Sequence, residues 1–271
     1  MPTSPDGILE AVFDPAWAAV RLIVDGGMWP SAVAAVTIVR TVPGLAPIPV
    51  RGVEARAVVG GYFAGSDPEA PLDAPVTYTV TGLSVAGAVV ATATVSVSTS
   101  GAARGLWVKV PGGPDLTCLA RLAEIGELVQ DTAGKNYLIA GGGSVAQAAA
   151  QSSGTTPEAG TIRLSVPAGT ATRALLAALR VPQRVLLLQP VGSSDLDAGY
   201  YFVSSHRRVN PAGVESYERR WFTLAIESTS MPAGQGQGVP GVTWAAVQNA
   251  YPTWAALAAA KPSWFDVQRG V

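Results

Sequence analysis

The stretch Pro75-Val76-Thr77-Tyr78-Thr79-Val80-Thr81-Gly82, with its sequel from Ala88 to Val97, decides the fold. Apolar or aromatic residues alternate with hydroxyl residues, and Ala86-Gly87 supplies a turn between the two runs. That is the pattern of half-buried antiparallel strands. The same form precedes it: Ile8 to Phe13 ends at Asp14-Pro15, and Trp17 to Val24 breaks at Asp25-Gly26-Gly27. Val33 to Val42 and Val50 to Val59 repeat it, with Pro43-Gly44 and Ser66-Asp67-Pro68 as turns. About seven strands with a turn every 8–12 residues or so predict a β-sandwich over residues 1–100. Trp17 is the expected large core residue. The Tyr78 hydroxyl is placed to bond back to the preceding loop, with ligand stacking as the competing reading.

Ser98-Thr99-Ser100-Gly101-Ala102-Ala103-Arg104-Gly105 is small and polar between two apolar stretches, so the domain boundary falls there and a second unit spans 105–230. Leu119 to Val129 reads as a strand or a short helix, while Tyr137 to Ala140 and Thr161 to Val166 read as strands. Thr170 is expected to cap a helix from Ala171 to Arg180, with Leu175, Leu176 and Leu179 on one face and Val181-Pro182 as the stop. The strand Arg184 to Val191 carries a Leu run apolar enough to be covered on both faces. Tyr200 to Val209 and Tyr217 to Ile226 predict a closing hairpin through Asn210-Pro211-Ala212-Gly213. Strands, one helix, then strands fit an antiparallel α+β barrel or split barrel.

A Gly, Pro and Gln linker, 231–241, leads to a tail at 242–271 with a ten-residue period. Its units are Thr243-Trp244-Ala245-Ala246-Val247, Thr253-Trp254-Ala255-Ala256-Leu257 and Ser263-Trp264-Phe265-Asp266-Val267. Each opens on a hydroxyl residue suited to an N-cap and sets Trp and an aliphatic residue three apart on one helical face; Pro252 and Pro262 stop the first two. One such turn cannot bury a Trp alone. Trp244, Val247, Trp254, Leu257, Trp264 and Val267 are therefore the expected assembly contacts, docking on the barrel of the same or an adjacent subunit.

Charged residues make up 14 % of the 271, the net charge is -1, and no basic block exists, which argues against a nucleic-acid partner. The sequence has no run of eighteen apolar residues and no basic-plus-apolar leader, so the chain is expected to stay in the cytoplasm of its maker, with no membrane partner. A single cysteine, Cys118, excludes an internal disulfide and a multi-cysteine metal site, and is read as a buried hydrophobe.

The chemistry candidates are weak. Gly141-Gly142-Gly143-Ser144-Val145-Ala146 fits G-x-G-x-x-A, but Gln147 to Gln151 is too brief for the required helix, so a flexible Ala/Gly loop is preferred. His206 is the only histidine, and its neighbours Ser204 and Ser205 do not make a nucleophile-base pair with it. Asp195 and Asp197 suit a turn better than calcium. Asp67 and Glu69, between Pro68 and Pro71, read as turn chemistry rather than an acid/base pair. Arg207, Arg208, Arg219 and Arg220 are placed on the closing hairpin, as a basic band that could meet a neighbour's acids or, more simply, as a solvated face. No catalytic, cofactor or metal residue is assigned, and no enzyme is expected.

On these residues the chain resembles minor tail proteins of long-tailed phages of actinobacteria and, more loosely, distal tail proteins. Asp67-Pro68-Glu69-Ala70-Pro71-Leu72 with Val76-Thr77-Tyr78 looks like the D-x-E-A-P-x…V-T-Y pair of their fibronectin-like domain. Leu106-Trp107-Val108-Lys109-Val110-Pro111 is similar to the W-L-K-x-P stretch opening their second domain. The Val185-Leu186-Leu187-Leu188 strand, Arg219-Arg220-Trp221-Phe222-Thr223-Leu224 and the repeated Thr-Trp tail complete the match; residues 131–160 depart from it. The resemblance implies a mainly β chain: a fibronectin/immunoglobulin-like sandwich, a tail-tube-like barrel with one helix, and a helical Trp tail. It also implies a ring homo-oligomer, commonly six-fold, between tail tube and tail hub at the virion's tail tip. Nucleic acid would meet it only by passing through the channel. A carbohydrate- or receptor-binding module is the alternative.

Overall fold

A computed structural model of the chain describes residues 2–29, 33–59, 61–111, 113–129, 132–139, 147–155, 157–180, 185–192, 194–209, 218–229, 247–248, 251 and 253–261. The protein is mainly β. The first hundred residues hold β1 (Leu9–Asp14), β2 (Ala19–Asp25), β3 (Ala35–Thr41), β4 (Ile48–Pro49), β5 (Arg56–Ala57), β6 (Tyr62–Asp67), β7 (Pro75–Leu83) and β8 (Val89–Ser98). They form two antiparallel sheets, β1-β2-β6 and β4-β3-β7-β8, with β5 on β3. The alternating residues explain the burial. Leu9, Val20, Leu22 and Val24 of one sheet and Val36, Ile38, Val76, Tyr78, Val80, Val95 and Val97 of the other belong to a single core.

Three local expectations change. The large core indole is Trp29, 7 % exposed, not the half-buried Trp17. Trp29 lies flat against Gly82, where an added Cβ would sit 1.5 Å from its ring, so the glycine in β7 makes room for it. Val50 to Val59 is not one strand. Val50 and Val53 enter the core from a turn at Gly52 (φ 71), which bonds to both sides of Ile38. A strand that the alternation did not reveal, β6, runs Tyr62-Phe63-Ala64-Gly65-Ser66-Asp67 and buries its polar end.

The second unit continues with β9 (Gly105–Val110), β10 (Gly113–Ile125), β11 (Thr132–Ile139), β12 (Gln147–Thr155), β13 (Ala159–Pro167), α1 (Thr170–Ala178), β14 (Val185–Val191), β15 (Gly199–Val209) and β16 (Arg219–Thr229). Six strands close a barrel in the order β10-β13-β16-β15-β14-β9. Its interior is filled by side chains including Leu106, Val108, Ile162, Leu164, Leu186, Leu188, Phe222 and Leu224, with Leu175, Ala178 and Leu179 of α1 packed on the same core. The barrel is therefore a packed core and not a pore. Cys118 lies in this core, and burial pushes its thiol up to about 12, which keeps it unreactive.

Leu119 to Ile125 is strand, settling the strand-or-helix choice, because its backbone pairs with both β9 and β13. The helix caps differently than expected. Thr170 is its first residue, Gly169 (φ 93) is the N-cap without a side-chain bond, and Thr172 Oγ1 instead donates to Pro167 O at 2.7 Å. The stretch after the glycines is also not a loop or helix: Gln147–Thr155 pairs antiparallel with Thr132–Ile139 as a separate two-stranded sheet. Residues 141–146 lie outside the described residues. A strand that returns antiparallel rules out the parallel β-helix-β unit a dinucleotide site requires.

Candidate functional site

The strand Leu106-Trp107-Val108-Lys109-Val110 shows where the two units meet. Alternation sends Leu106, Val108 and Val110 into the barrel core and Trp107 and Lys109 out of the barrel wall. An outward lysine on a strand ordinarily reaches water. Lys109 is 1 % exposed, because the first unit covers it.

Its ammonium donates to Ala18 O at 2.5 Å in the β1–β2 turn, to Pro68 O at 2.8 Å after β6, and to Gln189 Oε1 at 2.6 Å on the neighbouring β14. Three acceptors use all three N–H donors of an ammonium. Gln189 returns the connection, its Nε2 donating to Ala70 O at 3.0 Å. Ala18 holds a positive φ of 48, a left-handed conformation that a non-glycine residue adopts at a cost, and it forms a small apolar cluster with Ala102 and Trp107, against which Phe13 and Leu72 pack. The Trp107 Nε1 donates to Ala103 O at 3.0 Å, so the small polar segment after β8 is pinned at this junction too.

Behind the lysine stand two buried ion pairs. Asp67 accepts from Arg40 Nη1 at 2.7 and 2.8 Å, from the Tyr78 hydroxyl at 2.9 Å and from the Glu69 backbone N at 3.0 Å. Arg51 Nε donates to Glu69 Oε1 at 2.5 Å, and the Tyr200 hydroxyl of β15 joins that pair from the barrel. Asp67 and Glu69 are 0 % and 6 % exposed; the turn chemistry is present, since Asp67 Oδ1 accepts from Glu69 N across residues 68–69, but the two carboxylates are also the acceptors of buried arginines. Tyr78 bonds back to the stretch that precedes it, through a carboxylate, and does not face a ligand.

The electrostatics follow from this enclosure. Burial draws the Lys109 pKa down to about 7; Asp67 and Glu69 pull it back up and Arg40 pushes it further down. Tyr78 is held well above its ordinary value by burial and then by the Asp67 charge. Tyr200 is raised by burial and then by Glu69. Two carboxylates, two guanidiniums and one ammonium are thus buried together, the carboxylates paired with the guanidiniums and the ammonium bonded to three neutral oxygens. A general acid or base must reach a substrate proton. These carboxylates are spent on arginines, and the arrangement does what a buried polar network does, which is to favour one geometry between the surfaces it joins.

No protein-family model and no curated protein matches the chain.

The other expected sites are scattered. His206, Arg207 and Arg208 are exposed on β15, while Arg219 on β16 turns to Ser165, donating to its Oγ at 2.6 Å and its O at 2.7 Å. Arg163 stacks 5.2 Å over Trp221. Arg219 and Arg220 are half-buried, unlike Arg207 and Arg208, so the four are not one exposed band. Asp195 lines a cleft of about 500 Å³ with Arg104, Arg121 and Glu124, whereas Asp197 is exposed and its backbone O accepts from the Tyr201 hydroxyl. Among the described residues, no group of three His, Cys, Asp or Glu side chains comes together, and no helix is long and apolar enough to cross a membrane.

In the tail, α2 (Trp254–Ala260) is capped as expected, with Thr253 Oγ1 accepting from Ala256 N at 3.1 Å. Leu257 packs with Val247 and Tyr251 in a small cluster of its own, and Trp254 is 67 % exposed. Trp and the aliphatic residue three positions on therefore do not share one buried face here. Trp244, Trp264 and Val267 lie outside the described residues.

Lys109 and Gln189 are the site residues that motif reasoning missed. The signal was present: one lysine at an outward position between Val108 and Val110, opposite a Trp at the other outward position, is hard to place unless that wall is covered.

Proposed function

We propose that the chain is a structural protein of a phage tail tip, in which a fibronectin-like sandwich is carried by a tail-tube-like barrel that assembles into a ring between tube and hub. One observation carries the reading. The two stretches on which the resemblance rests most in the body of the chain, 67–72 and 106–111, meet face to face in the buried junction around Lys109. A carrier that must hold an outward unit at a fixed angle needs such a junction, since units joined only by a polar linker swing by default.

The packed barrel interior adds a constraint: a channel would have to form between copies, with each barrel as a wall segment. The tail would anchor one copy to the next. A carbohydrate- or receptor-binding module is less favoured, because sugar recognition needs polar groups beside the aromatic ring, and Trp254 is flanked along α2 by alanines.

Mass photometry of the purified protein, paired with a glycan array, separates the two. Closed multiples of the 27.6 kDa chain support the tail-ring reading. A monomer at every concentration that captures a glycan refutes it.

A further inference from the structure

Lys109 has its site only while the two units touch. The ammonium stands on β9 of the barrel, but two of its acceptors, Ala18 O and Pro68 O, belong to the first unit, and the third, Gln189, is itself tied to Ala70 O there. Among the described residues no strand of one unit pairs with a strand of the other, and each unit closes a core of its own. Parting the units at this junction leaves both cores closed and returns Lys109 to water.

A buried ammonium is stabilised best by a carboxylate at bonding distance, and this one is bonded to neutral oxygens. The groups that face it across the junction are Asp67 and Glu69 at and beyond the end of β6, Arg40 of β3, Arg51 after β4, Tyr78 of β7 and Tyr200 of β15. The two carboxylates are held by the two arginines, and both tyrosines are raised above their ordinary value, away from neutral pH. Beside the β1–β2 turn the Asp14 carboxylate accepts from Ala16 N, Asp115 of β10 is exposed, and β14 has no titratable residue. Enclosure draws the Lys109 pKa from 10.5 to about 7, whereas in water it returns to the ordinary value. The neutral amine keeps two N–H donors for the three acceptors, so the contact outlasts the charge. Between these two values the closed junction binds fewer protons than the open one, and closure gains as pH rises.

We propose that the junction is a proton-coupled clamp: the two units, each still folded, part as the medium is acidified and close as Lys109 sheds its proton. The clamp operates within one chain and does not rest on the ring reading. From pH 9 to pH 7 the ratio of closed to open chains is expected to fall roughly fiftyfold, levelling off below that range.

The test uses the full chain with spin labels on Val85→Cys, 95 % exposed in the β7–β8 turn, and on Arg173→Cys, exposed on α1. Cys118 is buried and stays unlabelled. Pulsed electron resonance is expected to give one narrow distance at pH 9 and a second, broad population that grows as pH falls to 6, with amide protection in β3, β7, β13 and β16 retained. Lys109→Met has no proton to lose and is expected to give the same distances at both values. Lys109→Arg stays charged and is expected to show the broad population at both. A single distance throughout in the wild-type background overturns the clamp, and so does a narrow distance alone in Lys109→Arg. A pH response that survives in Lys109→Met overturns it by assigning the proton to another group. Loss of protection in the core strands together with the distance change also overturns it, because the chain is then unfolding and not parting at the junction.

Discussion

Replacing Lys109 with Met removes the centre of the junction while keeping a side chain of similar length. Ala18 O, Pro68 O and Gln189 Oε1 then lose their donor inside a sealed space. Each buried acceptor left unsatisfied costs about 1–3 kcal/mol, and relief from burying the ammonium offsets part of that. Asp67 and Glu69 keep Arg40 and Arg51, so no carboxylate is stranded and the net loss falls near the lower end of the range for breaking a buried network, about 3 kcal/mol. For a chain of this size that lowers the melting midpoint by roughly 10 °C, at about 2–4 °C per kcal/mol. Calorimetry gives the midpoint, and hydrogen exchange at 67–72, 105–110 and 185–191 gives the location. The expected result is a lower midpoint with faster exchange in those three segments. A Lys109→Met chain as stable as wild type, or more stable, refutes the reasoning, because it means the ammonium's burial costs as much as its three bonds return.

The same lysine predicts a pH dependence. Its folded value of about 7 lies below its ordinary 10.5, so between those values the unfolded chain holds a proton the folded chain has released, and stability rises with pH. Urea unfolding from about pH 7.5 to about 9.5 is expected to show an upward slope that Lys109→Met lacks; above about pH 10 the raised Tyr78 and Tyr200 reverse the trend, since the unfolded tyrosines ionise first. Gly82→Ala drives a methyl into the Trp29 ring and is expected to cost about 3 kcal/mol or more in urea unfolding; a loss under about 1 kcal/mol would mean that the ring moves aside freely. Thr253→Ala removes the cap of α2, worth about 1 kcal/mol, and is expected to speed amide exchange over 254–260 alone. Unchanged exchange there contradicts the capping account.

Period-two alternation made β7 and β8 legible, because one face of each packs on a core and the other carries hydroxyls. It failed at β6, where Gly65, Ser66 and Asp67 are buried by partners that only the folded chain brings near. It failed again at 147–155, where small residues suit a loop and a strand equally and pairing with 132–139 decides between them. The junction was half legible. Asp67 and Glu69 stood out as a pair, but their arginines lie 27 and 18 residues earlier, and a contact of that range leaves no local pattern. Lys109 and Gln189 are 80 residues apart and adjacent only because β9 and β14 are neighbours in the barrel. The tail's cap was read correctly from Thr253, whereas the exposure of Trp254 depends on what surrounds the helix and cannot be read from its spacing.

The central proposal is that this two-unit chain is a ring-building subunit. Electron microscopy of the purified full-length protein at micromolar concentration tests it most directly. The account predicts closed rings with an open centre, barrels forming the wall and the first unit held at one fixed angle in every copy. Single particles the size of one chain, or two lobes that vary in angle from particle to particle, contradict it.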